Sequence, residues 1–245
     1  MADISEQSIE RTTDGLYQPK NADRLIAIWR GRTGPGRLSI GGAPEGYDAR
    51  ILTAGFRGLG RSIIHVCRDD ARLARLISSL DFFAPDLPVR ALPAWDCVPY
   101  DRVSPNAELV ARRLDTLASM ATSPDKPVLL LTTVSAILQR VPPAIAFRDA
   151  IIDLEPGGQI AQEKLLAYFG RNGYRRAGTV REPGEYAIRG GIVDVFPPGE
   201  ETPLRLDFFG DELETVRRFD AVSQRTIGEE QALRLIPVSE VILDD

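Results

Sequence analysis

The feature that most restricts the fold is a change of rhythm at Pro142-Pro143. Before it, strand-length apolar runs alternate with amphipathic helical stretches, and after it short strands follow one another across tight turns. Residues 22–30 place Leu25, Ile26, Ile28 and Trp29 on one side of a short helix. Residues 37–40 are a strand candidate running into Gly41-Gly42, and residues 47–56 are the helix that follows. Further strands are expected at 62–67, 89–92 and 128–132. Between them, Asp69-Asp70 opens a helix through Leu80, and Leu109, Val110, Leu114, Leu117 and Met120 fall at helical spacing over 106–120. Ser104 or Asn106 can cap that second helix, and another begins at 134–138. Strands alternating with helices imply βαβ units and a parallel sheet covered on both faces.

Past the proline pair, residues 162–169 form a helix stopped by Gly170 and Gly173. Strand-length segments follow at 186–188, 191–196, 204–209 and 213–219, with turns at Pro197-Pro198-Gly199 and Gly210-Asp211. One helix followed by hairpin-linked strands is an α+β pattern. The expected organisation is therefore a polar arm over 1–21, an α/β domain over 22–147 and a smaller α+β domain over 148–228. Residues 229–245 read as the start of a further unit, so the chain looks like a piece of something longer.

Composition removes several classes of function. No apolar run approaches the roughly 18 residues of a membrane span, and the polar start MADISEQSIERTTDG has no apolar segment of a signal peptide. A cytoplasmic location is expected. Cys67 and Cys97 make neither a metal spacing nor a disulfide framework, and the single histidine, His65, sits in a strand-like run where a structural role is expected. The formal net charge of −5 gives no reason to expect a large phosphate-binding surface.

A strand candidate leading into Gly41-Gly42-Ala43-Pro44-Glu45-Gly46-Tyr47-Asp48 and then a helix has the placement of a P-loop, with Gly41 and Gly46 at the spacing G-x-x-x-x-G. The chemistry is missing. Tyr47 and Asp48 stand where lysine and Ser/Thr would neutralise phosphate and hold Mg²⁺. Asp48 and Glu45 bring negative charge to the end of a helix that attracts anions. A glycine turn without nucleotide is the expected outcome.

The run Leu92-Pro93-Ala94-Trp95-Asp96-Cys97-Val98-Pro99-Tyr100-Asp101-Arg102-Val103-Ser104-Pro105-Asn106, continuing into Arg112-Arg113-Leu114, resembles the N-terminal region of the bacterial transcription-repair coupling factor family. So does Gly184-Glu185-Tyr186-Ala187-Ile188-Arg189-Gly190-Gly191-Ile192-Val193-Asp194-Val195-Phe196-Pro197, with its continuation from Arg205 to Glu212. The same region is similar to the first domains of the excision-repair subunit UvrB. The resemblance runs from about residue 22 to the end and implies a degenerate P-loop α/β domain followed by a UvrB-like α+β domain. In UvrB the loop is functional and a long hairpin that clamps DNA follows the position of Tyr100. Here Tyr47 and Asp48 side with the coupling factor, and too few residues separate Tyr100 from the helix at Asn106 for such a hairpin.

The resemblance further implies an adaptor that docks the damage-sensing ATPase UvrA and recruits it to stalled RNA polymerase in nucleotide excision repair. No cofactor is implied for this chain. ATP and Mg²⁺ belong to a motor that follows this region in the family, as do the contacts to RNA polymerase and double-stranded DNA. The UvrA contacts carried over by motif are Arg189, Arg205 and Phe209. Strand alternation agrees with them: Leu204, Leu206 and Phe208 share one face and Arg205, Asp207 and Phe209 the other. Arg189 and Arg205, on strands expected to be adjacent, would form a two-fork carboxylate site, and an exposed aromatic flanked by arginines has the make-up of an interface hot spot. The alternative from the residues alone is that both arginines pair with Asp194, Asp207 or Glu212 while Phe209 packs under a loop. A second function class, a UvrB-like nucleotide- or DNA-binding module, also stays open. Trp95-Asp96 and Tyr100-Asp101 read as loop anchors, Asp69-Asp70 and Asp211-Glu212 as helix-start and turn residues, and the Arg171, Arg175, Arg176, Arg181 group as a solvated face.

Overall fold

In a computed structural model describing residues 20–32, 34–37, 39–40, 44–97 and 105–240, the protein is mixed α/β, with one parallel pair in a small sheet and a larger, mainly antiparallel sheet. The chain gathers into two compact units that do not follow chain order. The first takes the chain up to Arg90 with Lys126–Val134, and the second takes Ala91–Asp125 and Ser135 onward.

In the first unit, α1 (Lys20–Arg30) lies against α2 (Tyr47–Leu59). Gly55 and Gly58, three residues apart on α2, admit Trp29 and Ile26 so closely that a Cβ at either position would collide with them, at 2.6 and 2.8 Å. β1 (Ile63–Cys67) and β3 (Leu129–Thr133) pair in parallel, Ile63 opposite Leu129, in a three-stranded sheet of order β1-β3-β2, with β2 at Val89–Leu92. Asp69 caps α3 (Asp70–Phe83) by accepting from the Arg72 amide at 2.8 Å. Leu52 of α2, Leu73, Leu76 and Leu80 of α3, and Cys67, Leu129 and Leu131 of the sheet form the core. Two expectations need correction. The strand expected over 37–40 is absent at its described residues, where Ile40 is exposed and packs on no sheet. Nor is β1 covered on both faces: Ile63 packs on the core, whereas Ile64 and Val66 are exposed.

In the second unit, α4 (Ala107–Thr122) is capped by Asn106, whose side chain accepts from Glu108 and Leu109 amides. The short α5 (Val134–Ile137) follows β3. Leu114, Ala118 and Ala121 of α4 pack with Phe147 of α6 (Ala144–Asp149) and with Ile236. β4 (Ile152–Leu154) pairs antiparallel with β11 (Leu233–Leu235). Between them run α7 (Gln162–Arg171), β5 (Arg175–Arg176), β6 (Glu185–Arg189), β7 (Ile192–Val195), β8 (Leu204–Phe209), β9 (Glu212–Phe219) and β10 (Thr226–Glu230). β5 to β10 form one sheet of order β10-β9-β8-β7-β6-β5, antiparallel except for β5 with β6. Leu165, Tyr168 and Phe169 of α7 cover one face of it, against Val193, Val195, Leu204, Leu206 and Val216. Leu233 and Leu235 are buried in this same core.

Candidate docking face

The face of the six-stranded sheet turned away from α7 collects the alternate residues, and part of it is closed over by a second buried cluster of Val180, Ala187, Phe196 and Phe219. Because β7 and β8 put Val193, Val195, Leu204 and Leu206 under α7, period-2 alternation turns Ile192, Asp194, Arg205 and Asp207 the other way. Thr215 and Arg217 join them from β9. A bulge between Asp207 and Phe208 precedes the end of β8, where Phe208 packs on the core and Phe209 is 77% exposed. The two facing sets match the alternation read from the sequence.

Arg205 and Arg189 differ sharply in environment. Arg205 donates from Nε to Asp194 Oδ1 at 2.7 Å and from Nη2 to Oδ2 at 2.9 Å, and its guanidinium carbon lies 4.7 Å from the centre of the Phe219 ring. The bond to Asp194 raises its pKa above the usual arginine value. Asp207 Oδ2 accepts from Thr215 at 2.8 Å and from Arg217 Nε at 3.0 Å. Arg189 is exposed and makes one bond, Nη2 to the Gly178 carbonyl at 3.0 Å. The expected two-fork site does not form. β7 lies between β6 and β8, and Arg189 is in register with Ile192 and so with Asp207, two residues beyond Arg205. Ordinary sheet spacings put the two Cα atoms about 12 Å apart. The Asp194 partner was among the alternatives open from the residues; a loop covering Phe209 is not found. Arg217, Thr215 and Phe219 were missed, although the spacing of Thr215 and Arg217 along β9 marks them as sharing a face.

At the phosphate-loop position, Gly41 lies outside the described residues. Gly46 takes a left-handed conformation, φ 83°, directly before α2, and Tyr47 begins the helix. Asp48 Oδ1 accepts from the Ala49 amide, and Asp48 Oδ2 accepts from Arg72 at 2.5 Å. Arg72 and Arg75 also hold Glu45, at 3.1 and 3.0 Å. The position where a phosphate would meet the helix dipole thus carries two of the protein's own carboxylates. An open cleft of about 520 Å³ beside them is lined by Arg72, Arg75, Ser79 and Phe83, and both arginines are already committed. Burial lowers the pKa of His65, on β1 near Asp48 and Arg72. Among the described residues no group of three His, Cys, Asp or Glu could hold a metal ion, and no helix is long and apolar enough to cross a membrane.

The family model described as the UvrB interaction domain matches residues 152–240, the stretch holding α7 and the whole six-stranded sheet. The transcription-repair-coupling factor of Escherichia coli is 35% identical over 182 residues, which is 74% of this chain and 16% of that protein. That of Haemophilus influenzae is 34% identical over 178 residues, 73% of this chain and 15% of that protein. That of Myxococcus xanthus is 33% identical over 231 residues, 91% of this chain and 18% of that protein. The chain is a homologue of the transcription-repair-coupling factors. It spans less than a fifth of the length of these relatives.

In this coupling-factor homologue the two sequence blocks that carry the resemblance are each organised by one buried charge. In the first, Arg113 of α4 is fully buried, donates to Glu240 at 2.6 and 3.2 Å, to the Pro93 carbonyl and to Gln139 Oε1 at 3.2 Å, and lies 4.7 Å from the Trp95 ring. Gln139 Oε1 also receives the Trp95 amide at 3.1 Å, and Asp96 receives the Asn106 amide at 3.2 and 3.3 Å. Trp95 and Asp96 are loop anchors, as read; Tyr100 and Asp101 lie outside the described residues.

In the second block, Glu185 accepts from Arg175 at 2.7 Å and from the Arg181 and Glu182 amides at 2.9 and 3.1 Å. Burial pushes its pKa up, but the three donors outweigh burial and the net shift is downward. A lowered carboxyl pKa stabilises the fold above the unfolded value, and this contribution is lost as pH falls through the folded value. Glu185→Gln is therefore expected to cost about 2 kcal/mol at pH 7, and the gap to the parent should close below about pH 4. Urea titrations of both proteins at several pH values check this; a gap independent of pH would refute it.

Proposed function

We propose that this chain is the docking portion of a coupling factor, and that the sheet face turned away from α7, with Arg189, Arg205 and Phe209, binds UvrA. In the longer protein this docking would bring UvrA to RNA polymerase stalled on double-stranded DNA, in nucleotide excision repair. The observation that carries the reading is Phe209: an aromatic 77% exposed on a face rich in arginine, inside the segment matched by the UvrB interaction domain. A large apolar side chain left in water at the end of a strand costs free energy until a partner covers it. The chain works without hydrolysing nucleotide. Its loop before α2 lacks the lysine and hydroxyl that phosphate and Mg²⁺ need, and the cations of the adjoining cleft neutralise Glu45 and Asp48. We assign the first unit, on the same grounds, to a degenerate P-loop-like fold.

Phe209→Ala tests the docking face directly. Phe209 has nothing packed over it, so the variant should unfold with the parent. Its affinity for UvrA in a calorimetric titration should fall by about tenfold or more, the loss typical of an interface anchor. Parent-like affinity in a folded Phe209→Ala protein would remove the assignment.

A further inference from the structure

Asp194 is the member of this face that no contact role accounts for. Its side chain is 2% exposed, and both of its oxygens are taken by Arg205, through Nε and Nη2. A buried ion pair gains little stability over an apolar pair of the same shape, so its usefulness here lies in the geometry it imposes. The two bonds to Asp194 fix the plane of the guanidinium, and the Phe219 ring supports it at 4.7 Å. One edge of the fork is thereby used up. Among the described residues the other terminal nitrogen, Nη1, has no hydrogen-bond acceptor, and Nη2 keeps its second N–H. The only buried polar side-chain atom left without a partner among those residues is Gln224 Oε1, so Arg205 Nη1 is not a fully enclosed, unpaired donor, and the side chain is 17% exposed.

We propose that Asp194 is the positioning residue of the docking face, clamping the Nε/Nη2 edge of Arg205 so that the outer Nη1/Nη2 edge is held ready for a partner. The group that edge receives is a carboxylate of the partner, taken by one N–H of Nη1 and the second N–H of Nη2. This inference rests on the UvrA-docking reading above. Arginine is required for it. A lysine at 205 has no planar fork, so while its ammonium stays paired with Asp194 it cannot extend a second nitrogen outward in a fixed direction.

The test is a double-mutant cycle on UvrA binding with Asp194→Asn, Arg205→Lys and the double variant, each first shown by thermal melting to be folded. Arg205→Lys keeps a cation beside Asp194, so it preserves the fold while removing the outer edge. Each single variant is expected to lose about tenfold in affinity by calorimetry, and the double variant no more than either single one. Parent-like affinity in either folded single variant overturns the proposal. Fully additive losses overturn it as well, because Asp194 would then act on the partner independently of Arg205. Phe209→Ala, measured alongside, separates the two levels: if it too binds like the parent, the docking reading itself has failed.

Discussion

Replacing Arg113 with methionine should destabilise the second unit by about 3 kcal/mol or more. Methionine fills much of the same space, so the loss is electrostatic. Arg113 is fully buried, and Glu240, its partner, has a side chain only 9% exposed. Without the guanidinium, the Glu240 carboxylate stays out of water with no countercharge, and the Pro93 carbonyl and Gln139 Oε1 each lose a donor. Urea denaturation followed by tryptophan fluorescence is a suitable probe, because Trp95 lies under Arg113. Trp29 in α1 reports on the first unit. The companion variant Arg113→Met/Glu240→Leu removes both charges and should recover a large part of the loss. If the single and double variants unfold at the same urea concentration, the buried pair is not what holds Trp95, α4 and the 236–240 segment together.

Arg205→Ala should also cost about 3 kcal/mol of stability, even though Arg205 is assigned to a binding face. Truncation strands Asp194, whose side chain is 2% exposed and whose two oxygens have no other partner than Arg205. It also removes the cation from the Phe219 ring. A weakened interaction with UvrA in this variant would therefore mix lost contact with lost fold. An arginine on an open strand face tolerates truncation, and it is the Asp194 contact that sets Arg205 apart. Arg205→Ala/Asp194→Ala should regain most of the stability, as judged by the melting temperature. Equal melting temperatures for Arg205→Ala and the parent would show that Asp194 is not held at the energetic cost its burial implies.

These two arginines show where reading along the chain stops being sufficient. Arg112 and Arg113 are neighbours on one helix with the same chemistry, yet Arg112 reaches an exposed Glu108 one turn away while Arg113 is sealed off from water. Helical periodicity puts Arg113, three residues after Val110 and four before Leu117, on the apolar stripe and Arg112 off it, but it does not supply the partner, because Glu240 lies 127 residues away. Arg205 is similar. Its strand, its facing and its separation from Leu204 and Leu206 follow from alternation, since a strand half-covered by α7 must put every second side chain on the open side. Its countercharge follows only from sheet order: β7 sits between β6 and β8, so the opposite charge directly across from Arg205 is Asp194, and Arg189 is a strand further off. The strand expected at 37–40 failed for a related reason. Alternating apolar residues there carry a strand's local preference, but at the described residues the segment joins no sheet and Ile40 is exposed.

The rhythm change at Pro142-Pro143 is a local property, and local properties were enough to determine that the chain holds both a βα-alternating part and a hairpin part. They also determined that its glycine loop lacks phosphate chemistry and that Phe209 and Phe208 face opposite ways. Only the tertiary structure decided that α4 belongs with the second compact unit, that Leu233 and Leu235 complete the core under α7, and that Glu45 and Asp48 are neutralised by Arg72 and Arg75. It alone decided that Arg205 is clamped while Arg189 stays exposed. Periodicity and residue chemistry act within one turn of helix or one step of strand. The pairing of charges and the filling of cores depend on which distant segments are brought within a few ångströms.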